Sequence, residues 1–146
     1  MVPSASGART VGGTYRVDMR ISRLQFVSVP VADHVKAREF YVDVLGFELV
    51  VDIAGPHGQF VMVAPPGAQT GVVLVDFSVD GREFGGPVHL QFHTDDLDAD
   101  IAELRAAGVE AGNPQDVPWG RMTTFTDLDG NPISLLQPSA MGNRPG

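Results

Sequence analysis

The chain has 146 residues, of which 43% are hydrophobic, so it can form one globular domain or two small units that share a core. Its net charge is −8 and no stretch concentrates Lys or Arg, which makes nucleic acids and anionic membranes poor partners. The sequence contains no cysteine, which excludes disulfides, thiolate metal sites and a cysteine nucleophile.

The two ends of the chain differ in composition from its middle. The first 20 residues are small, polar and rich in glycine, which is typical of a segment without regular structure, and the tail is similar. The N-terminal stretch lacks the apolar segment of a secretory signal, and the longest aliphatic run (72–75) is too short for a membrane span. We therefore predict a disordered arm over 1–20, a folded domain over 21–138 and a disordered tail over 139–146. The cytoplasm is the expected location.

The first half of the folded region is predicted to contain a strand, a helix and three further strands. The alternating stretch FVSVPVAD (26–33) predicts the first strand, and Asp33 is a suitable N-cap for the helix. Gly46 stands where a left-handed C-cap is expected. The apolar stripe of the helix comprises Ala37, Phe40, Tyr41, Val44 and Leu45. The three strands that follow are predicted at LGFELVVD, 58–64 and 71–77.

The second half repeats this order. HLQFHTDD (89–96) matches the first strand at an offset of 89 − 26 = 63, and Asp95 or Asp96 can cap the next helix. The stripe of this helix comprises Leu97, Ile101 and Leu104, and Gly108 follows it. Further strands are predicted at AGVEAGN, 120–126 and 132–137, the last two joined by the tight turn DLDGN (127–131). The predicted fold is therefore α+β, with two β-α-β-β-β modules over 21–80 and 87–138.

Alternation along the strands predicts which residues face a pocket. The uniformly apolar rows should lie under the helices: Val27, Val29, Val31, Val61, Val63, Val73, Val75, Phe77, Leu90, Phe92, Ile133 and Leu135. The opposite rows should face the concave side: Phe26, Ser28, Pro30, Phe60, Met62, Leu74, Asp76, His89, Gln91, His93, Met122, Thr124, Ser134 and Leu136. Apolar walls with a few polar groups are typical of a small-molecule pocket.

The paired modules carry motifs of a known superfamily. VPVADHVKAREFYVDVLGFELV in the first and TDDLDADIAELRAAGVEAGN with TDLDGNPISLLQP in the second resemble the vicinal oxygen chelate superfamily. That superfamily includes glyoxalase I, extradiol dioxygenases, fosfomycin-resistance enzymes and bleomycin-resistance proteins. The resemblance covers about residues 21–138 and implies an eight-stranded, cup-shaped barrel with the helices outside. It also implies a homodimer.

The resemblance further implies four metal-ligand positions on the concave strands, which fall on Phe26, Leu74, His89 and Ser134. Only His89 is a metal ligand, and a divalent ion takes at least three protein donors. We therefore predict no metal and no cofactor. An improvised site from His89, His93 and Asp76 stays open, although the two histidines lie about 13 Å apart on an extended strand at ~3.3 Å per residue.

Several polar and aromatic residues have two readings each. His89 is either a hydrogen-bonding group of the pocket wall or a catalytic acid–base, in which case Asp76 could orient it. Trp119, in the stretch VPWGR (117–121), is either a loop anchor or an aromatic lid, with Arg121 available for an anionic or carbonyl group. The DLDGN turn lacks the further ligands of a calcium loop, so we interpret it as a hairpin turn.

Two hypotheses about function follow. The first is a metal-independent binding protein of the glyoxalase/bleomycin-resistance type that captures an apolar or aromatic compound, in antibiotic resistance or sequestration. The second is an enzyme (a lyase, isomerase or dioxygenase) with an atypical metal site or with His89 as acid–base. The predicted partners are a small molecule and a second copy of the chain. The predicted ligand-binding residues are Phe26, Ser28, Phe60, Met62, Leu74, His89, Gln91, His93, Trp119, Arg121, Met122, Ser134 and Leu136.

Overall fold

The computed structural model describes residues 8–11, 14–77 and 88–139. The expectations for the rest of the arm, for the connection 81–87 and for the tail beyond Ser139 lie outside these residues. Within them, no helix has the length and apolar character needed to cross a membrane. The strands are β1 (Ala8–Val11), β2 (Thr14–Val17), β3 (Phe26–Pro30), β4 (Glu48–Ala54), β5 (Gln59–Ala64), β6 (Gly71–Val75), β7 (Leu90–His93), β8 (Gln115–Val117), β9 (Gly120–Thr126) and β10 (Pro132–Pro138). The helices are α1 (His34–Glu39), continued by a π-helical turn (Phe40–Val44), and α2 (Leu97–Ala106).

The two modules have the same topology, which confirms the predicted fold class. Module one is a four-stranded sheet in the order β3-β6-β5-β4, and module two has the order β7-β10-β9-β8. In each, the first and fourth strands are parallel and the other pairs are antiparallel. Among the described strands, no ladder joins the two sheets. β1 and β2 pair with each other in a separate hairpin, which the composition of the arm does not predict.

The predicted caps place both helices. The Asp33 carboxylate accepts hydrogen bonds from the backbone N–H groups of Val35 (2.8 Å) and Lys36 (3.3 Å), and Asp96 accepts one from Ala99 (3.1 Å). Such caps satisfy N–H groups that have no partner inside the helix. Gly46 and Gly108 have φ values of +75° and +84°, as a left-handed C-cap requires. The predicted stripe of α2, Leu97, Ile101 and Leu104, is buried.

The first helix ends in a π-helical turn that changes its apolar stripe. The Leu45 backbone N–H donates to the Phe40 carbonyl oxygen at 3.1 Å, five residues back. This wider turn rotates later side chains away from ideal helical spacing. Ala37, Phe40 and Tyr41 are therefore buried as predicted, whereas Val44 is 36% exposed.

The second strand of module two is shorter and later than predicted. Residues 109–114 form no strand, and pairing with β9 begins only at Gln115. The Arg105 guanidinium donates to the Ala111 carbonyl oxygen (3.1 Å) and to the Asn113 side chain (3.0 Å), which ties this stretch to the end of α2. Pro114 has no N–H for a ladder, so pairing starts after it.

One hydrophobic core extends through both modules. It contains buried residues of module one, such as Val29 and Tyr41, and of module two, such as Leu97 and Ile133. At the junction, the rings of Phe47 and Phe92 are 5.2 Å apart in an edge-to-face arrangement. The two modules therefore pack as one unit.

The DLDGN turn forms hydrogen bonds between the modules. It joins β9 to β10, as predicted, and it also contacts module one. The Asn131 side chain donates to the Pro30 carbonyl oxygen (3.0 Å), and the Asp129 carboxylate accepts from the Ala32 N–H (2.8 Å). The hydroxyl of Tyr41, which is fully buried, donates to Asp127 (2.8 Å).

β4 is the outer strand of module one and carries several exposed apolar side chains. Leu49, Val50 and Ile53 are 45%, 49% and 60% exposed. The register with β5 shifts between Leu49 and Val51, so this edge contains a β-bulge.

Candidate functional site

The strand register confirms the two predicted faces of module two. Leu90 pairs with Ile133 and Phe92 with Leu135, and these residues belong to the core beneath α2 or pack against it. On the opposite, open face, Gln91 of β7 pairs with Ser134, and His93 pairs with Leu136. In turn, Ser134 pairs with Thr124 of β9, and Leu136 pairs with Met122. The predicted polar row of β7 therefore lies on the open face.

The predicted faces of β6 in module one are wrong by one residue. Leu74 pairs with Val29 on one side and with Val61 on the other, and all three are fully buried in the core. Val73, which pairs with Ser28 and Met62, lies on the open face instead. Every residue of β6 is buried, so both of its rows are apolar and alternation cannot distinguish them. Leu74 therefore lies in the core and does not face the predicted pocket.

A chain of hydrogen bonds crosses the open face of module two. His89 Nε2 lies 2.7 Å from Ser134 Oγ, which lies 3.0 Å from Thr124 Oγ1. Ser134 is fully buried between its neighbouring strands, whereas His89 is exposed. The sheet thus holds the imidazole through the serine and presents it to solvent.

The open face of module one is apolar and aromatic. The rings of Phe26 and Phe60 are 5.9 Å apart with an interplanar angle of 78°. A Cβ added at Gly71 would lie 2.9 Å from both the Cγ and the sulfur of Met62. The glycine therefore makes room for the Met62 side chain.

A groove of about 410 Å³ lies where the two modules meet. It contains three predicted site residues, His89, Gln91 and His93. Module one contributes Val27, Val72 and a segment that the sequence analysis did not single out. This segment is the loop before β6, PPGAQTG (65–71), whose small and polar composition gives no periodic signal. The remaining lining residues are Leu24, Leu90 and Phe92.

Asp76 does not orient His89, contrary to the acid–base hypothesis. Its carboxylate accepts a hydrogen bond from the His34 backbone N–H (2.9 Å) and lies 2.7 Å from His34 Nδ1. Burial alone would raise the pKa of Asp76, but the hydrogen bonds and charge of His34 lower it below the ordinary value of 3.8. Asp76 thus belongs to the start of α1.

Arg121 does not lie on the predicted pocket wall, and Trp119 does not line the groove. Arg121 pairs in register with Gln137 and contacts the carboxylates of Asp98 on α2 (3.3 Å) and Asp116 (3.4 Å), so it lies on the helix side. Trp119 is 46% exposed at the turn between β8 and β9. Its carbonyl oxygen accepts from the Ser139 N–H at 2.8 Å.

The residues at the metal-ligand positions do not fit a divalent ion. Phe26 has no donor atom, and Leu74 points into the core. His89 and Ser134 hydrogen-bond to each other. In the part of the chain that the structure describes, no three His, Asp or Glu residues come together as a metal would require.

Comparisons with known proteins agree with this fold. A family model described as "Glyoxalase/Bleomycin resistance protein/Dioxygenase superfamily" matches residues 23–135. TnmS3, an antibiotic binding protein from Streptomyces sp. CB03234, is 48% identical with a TM-score of 0.76, and the match covers 83% of this chain and 99% of that one. A member of the same superfamily from Sphaerobacter thermophilus DSM 20745 is 39% identical with a TM-score of 0.71, over 82% of this chain and 99% of that one.

Comparison of sequences gives the same result. YetH from Bacillus subtilis (strain 168) is 30% identical over 119 residues, which are 80% of this chain and 99% of YetH. The resemblance that the motifs indicate is thereby confirmed. The chain belongs to the glyoxalase/bleomycin resistance protein/dioxygenase superfamily.

Proposed function

We propose that this chain is a metal-independent binding protein that captures an apolar or aromatic small molecule in the groove between its modules. The observation that carries the proposal is the bond between His89 and Ser134 (2.7 Å), which joins two positions where metal-dependent relatives are expected to have ligands. The similarity to TnmS3, an antibiotic binding protein, supports a small-molecule ligand. Sequestration of an antibiotic is the corresponding biological role.

The size of the groove suits such a ligand. Drug-sized molecules occupy pockets of about 300–1,000 Å³, and the groove has about 410 Å³. A flat compound that loses about 400 Å² of surface gains roughly 10 kcal/mol at ~25 cal/mol per Å². Burial of the protein wall adds to this, and association costs of about 4–15 kcal/mol oppose it. We therefore expect an affinity near micromolar, about −8 kcal/mol.

The polar groups of β7 give the ligand one orientation. His89 and Gln91 are exposed on the open face and can each donate to a carbonyl or hydroxyl of the compound. A buried donor that loses its partner costs about 1–3 kcal/mol, so a compound without matching acceptors binds more weakly. This division between an apolar wall and two donors favours aromatic compounds that carry oxygen at one end.

The enzymatic alternative receives less support from the geometry. Ser134 has no exposed surface, so it cannot attack a substrate as a nucleophile activated by His89. Asp76 is held by His34 and does not complete an acid–base pair with His89. The remaining catalytic role is that of His89 alone.

The test is calorimetry, because Trp119, the only tryptophan of the chain, does not line the groove. A panel of flat aromatic antibiotics is titrated into the protein after chelator dialysis, and the recovered compound is checked by mass spectrometry. We expect saturable binding without metal and without chemical change. His89→Ala should weaken binding at least tenfold, which is about 1.4 kcal/mol. His57→Ala should not, because His57 is exposed outside the groove.

Two positive results and one negative result would contradict the proposal. One is a stoichiometric, submicromolar site for Zn²⁺, Ni²⁺, Mn²⁺ or Fe²⁺ that disappears in His89→Ala, since the chain would then hold an improvised metal centre. The other is conversion of a bound compound to a product, which would make His89 a catalyst. If no compound of the panel binds or changes the thermal stability of the protein, the proposed apolar binding site is also contradicted.

A further inference from the structure

A second cavity lies between the modules on the helix side of the sheets and has no role in the proposed function. Its volume is about 170 Å³. Phe92 and Leu135, which form one of its walls, pair in register on the face that packs toward α2. Gln91 and Ser134, which belong to the proposed ligand face, point to the other side of the same strands. Pro65, Phe92 and His93 border both cavities, so the two are neighbours along β7.

The inner walls of this helix-side cavity are apolar and aromatic. Phe47 and Phe92 meet edge to face at 5.2 Å, and Phe125 provides a third ring. Leu45, which directly follows the π-helical turn, also lines the cavity. Rings in this arrangement offer edges and faces to a further aromatic ring. A cavity of about 150 Å³ is enough to hold benzene, so this volume suits a single ring.

The outer part of the helix-side cavity is acidic. Asp100 and Glu103 of α2 line it and lie three residues apart, which places them side by side on the helix. Thr94 hydrogen-bonds to Asp100 and fixes that carboxylate. Glu103 is exposed and has no ion pair within the described residues. Among the described residues, no Lys or Arg contributes to the lining, and His93 is the one other titratable side chain in it.

The geometry points to a second binding site, which takes a small aromatic amine. The ring fills the apolar interior, and the ammonium group lies between Asp100 and Glu103. An alkylamine is protonated at pH 7, as the lysine side chain is. The charge then relieves the repulsion between the two carboxylates, and a neutral or anionic analogue gains no such contact.

The probe for this site is 2-phenylethylamine, compared with toluene and phenylacetate as neutral and anionic analogues. We expect one site with a dissociation constant of about 0.1–1 mM for the amine, in calorimetry at low salt. Chemical-shift changes in two-dimensional NMR should lie on Leu45, Phe47 and Leu104, which line this cavity and not the groove.

Matched variants separate the charge from the cavity. Glu103→Gln should weaken amine binding about fivefold, the size of an exposed ion pair, and leave toluene binding unchanged. Glu39→Gln is the control, since Glu39 is an exposed glutamate on α1 outside the cavity. Absence of amine binding, equal binding of phenylacetate, or an equal loss in both variants would overturn the proposal. Shift changes confined to His89 and Gln91 would assign the amine to the groove and overturn it as well.

Discussion

At the scale of single residues, Asp127 is the most heavily hydrogen-bonded side chain of the junction. It is buried and accepts from the Tyr41 hydroxyl (2.8 Å), from the Asn131 side chain (2.8 Å), and from the backbone N–H groups of Asp129 (2.8 Å) and Asn131 (2.9 Å). Burial and the charge of Asp127 raise the pKa of Tyr41 well above its ordinary value, so the phenol remains a donor. The Asp127 carboxylate is therefore the acceptor in each of these hydrogen bonds.

Asp127→Asn tests this arrangement. The amide keeps the size of the carboxylate but turns one acceptor into a donor that faces other donors. We expect a loss of about 2–4 kcal/mol in the free energy of unfolding, measured by urea denaturation. Asp95→Asn, at an exposed position before α2, should change stability by less than about 0.5 kcal/mol. Equal effects of the two variants would mean that the network contributes little.

Asp76 predicts a pH dependence whose sign follows from its lowered pKa. Despite the opposing effect of burial, contact with His34 lowers the pKa of Asp76 in the folded state below 3.8. The ionised contact therefore stabilises the fold above that pH, and this contribution is lost as the pH falls through the folded-state pKa. In urea denaturation, Asp76→Asn should be less stable than the parent at pH 6, and the difference should shrink at pH 3. A stability difference between the two proteins that grows toward acid pH would contradict the lowered pKa of Asp76.

At the scale of elements, the pairing of β9 with β10 depends on one glycine. Gly120 begins β9 opposite Pro138, and a Cβ at Gly120 would lie 2.3 Å from the Gln137 carbonyl oxygen. That atom belongs to the backbone of β10 and cannot move without disturbing the ladder. The start of β9 thus approaches the backbone of β10 more closely than a residue other than glycine allows.

Gly120→Ala should therefore destabilise the fold more than an alanine substitution at a glycine that is required only for its positive φ. We expect a loss of about 3 kcal/mol, because the added methyl group displaces β10. Gly46→Ala is the matched variant, since φ is +75° there and nothing lies within 4 Å of the added Cβ. Its expected cost is about 1–2 kcal/mol. Thermal denaturation of both proteins gives the comparison, and equal costs would exclude the clash as the cause.

The sequence predicts those elements whose signal is local. Strands 120–126 and 132–137 and both helix caps follow from alternation and from capping chemistry, and the structure has them within one residue. The faces of β6 depend on tertiary packing, because both of its rows are apolar. The π-helical turn also escapes prediction, since its widening follows from packing and leaves no periodic signal. The same limits apply to the site, where the row His89, Gln91 and His93 is predictable and Leu74, Asp76 and Arg121 are not.

At the scale of the whole molecule, the modules share one core and one hydrogen-bonded junction. Phe47 contacts Phe92 across it, and Tyr41 donates to Asp127. We therefore expect a single unfolding transition in which circular dichroism and Trp119 emission coincide. A fragment of residues 88–139 alone should remain unfolded, because it loses half of the core. Two separate transitions, or a folded fragment, would show that the modules are independent.

The apolar edge of β4 has a consequence for the behaviour of the protein in solution. Among the described residues β4 has a strand neighbour on one side only, so Leu49, Val50 and Ile53 lie beside backbone groups that can pair with a strand of another molecule. At neutral pH the net charge of −8 keeps copies of the chain apart. That repulsion vanishes near the isoelectric point of about 4.7. Solubility should therefore be lowest there, and acid precipitation in storage or purification should begin at this edge of the molecule.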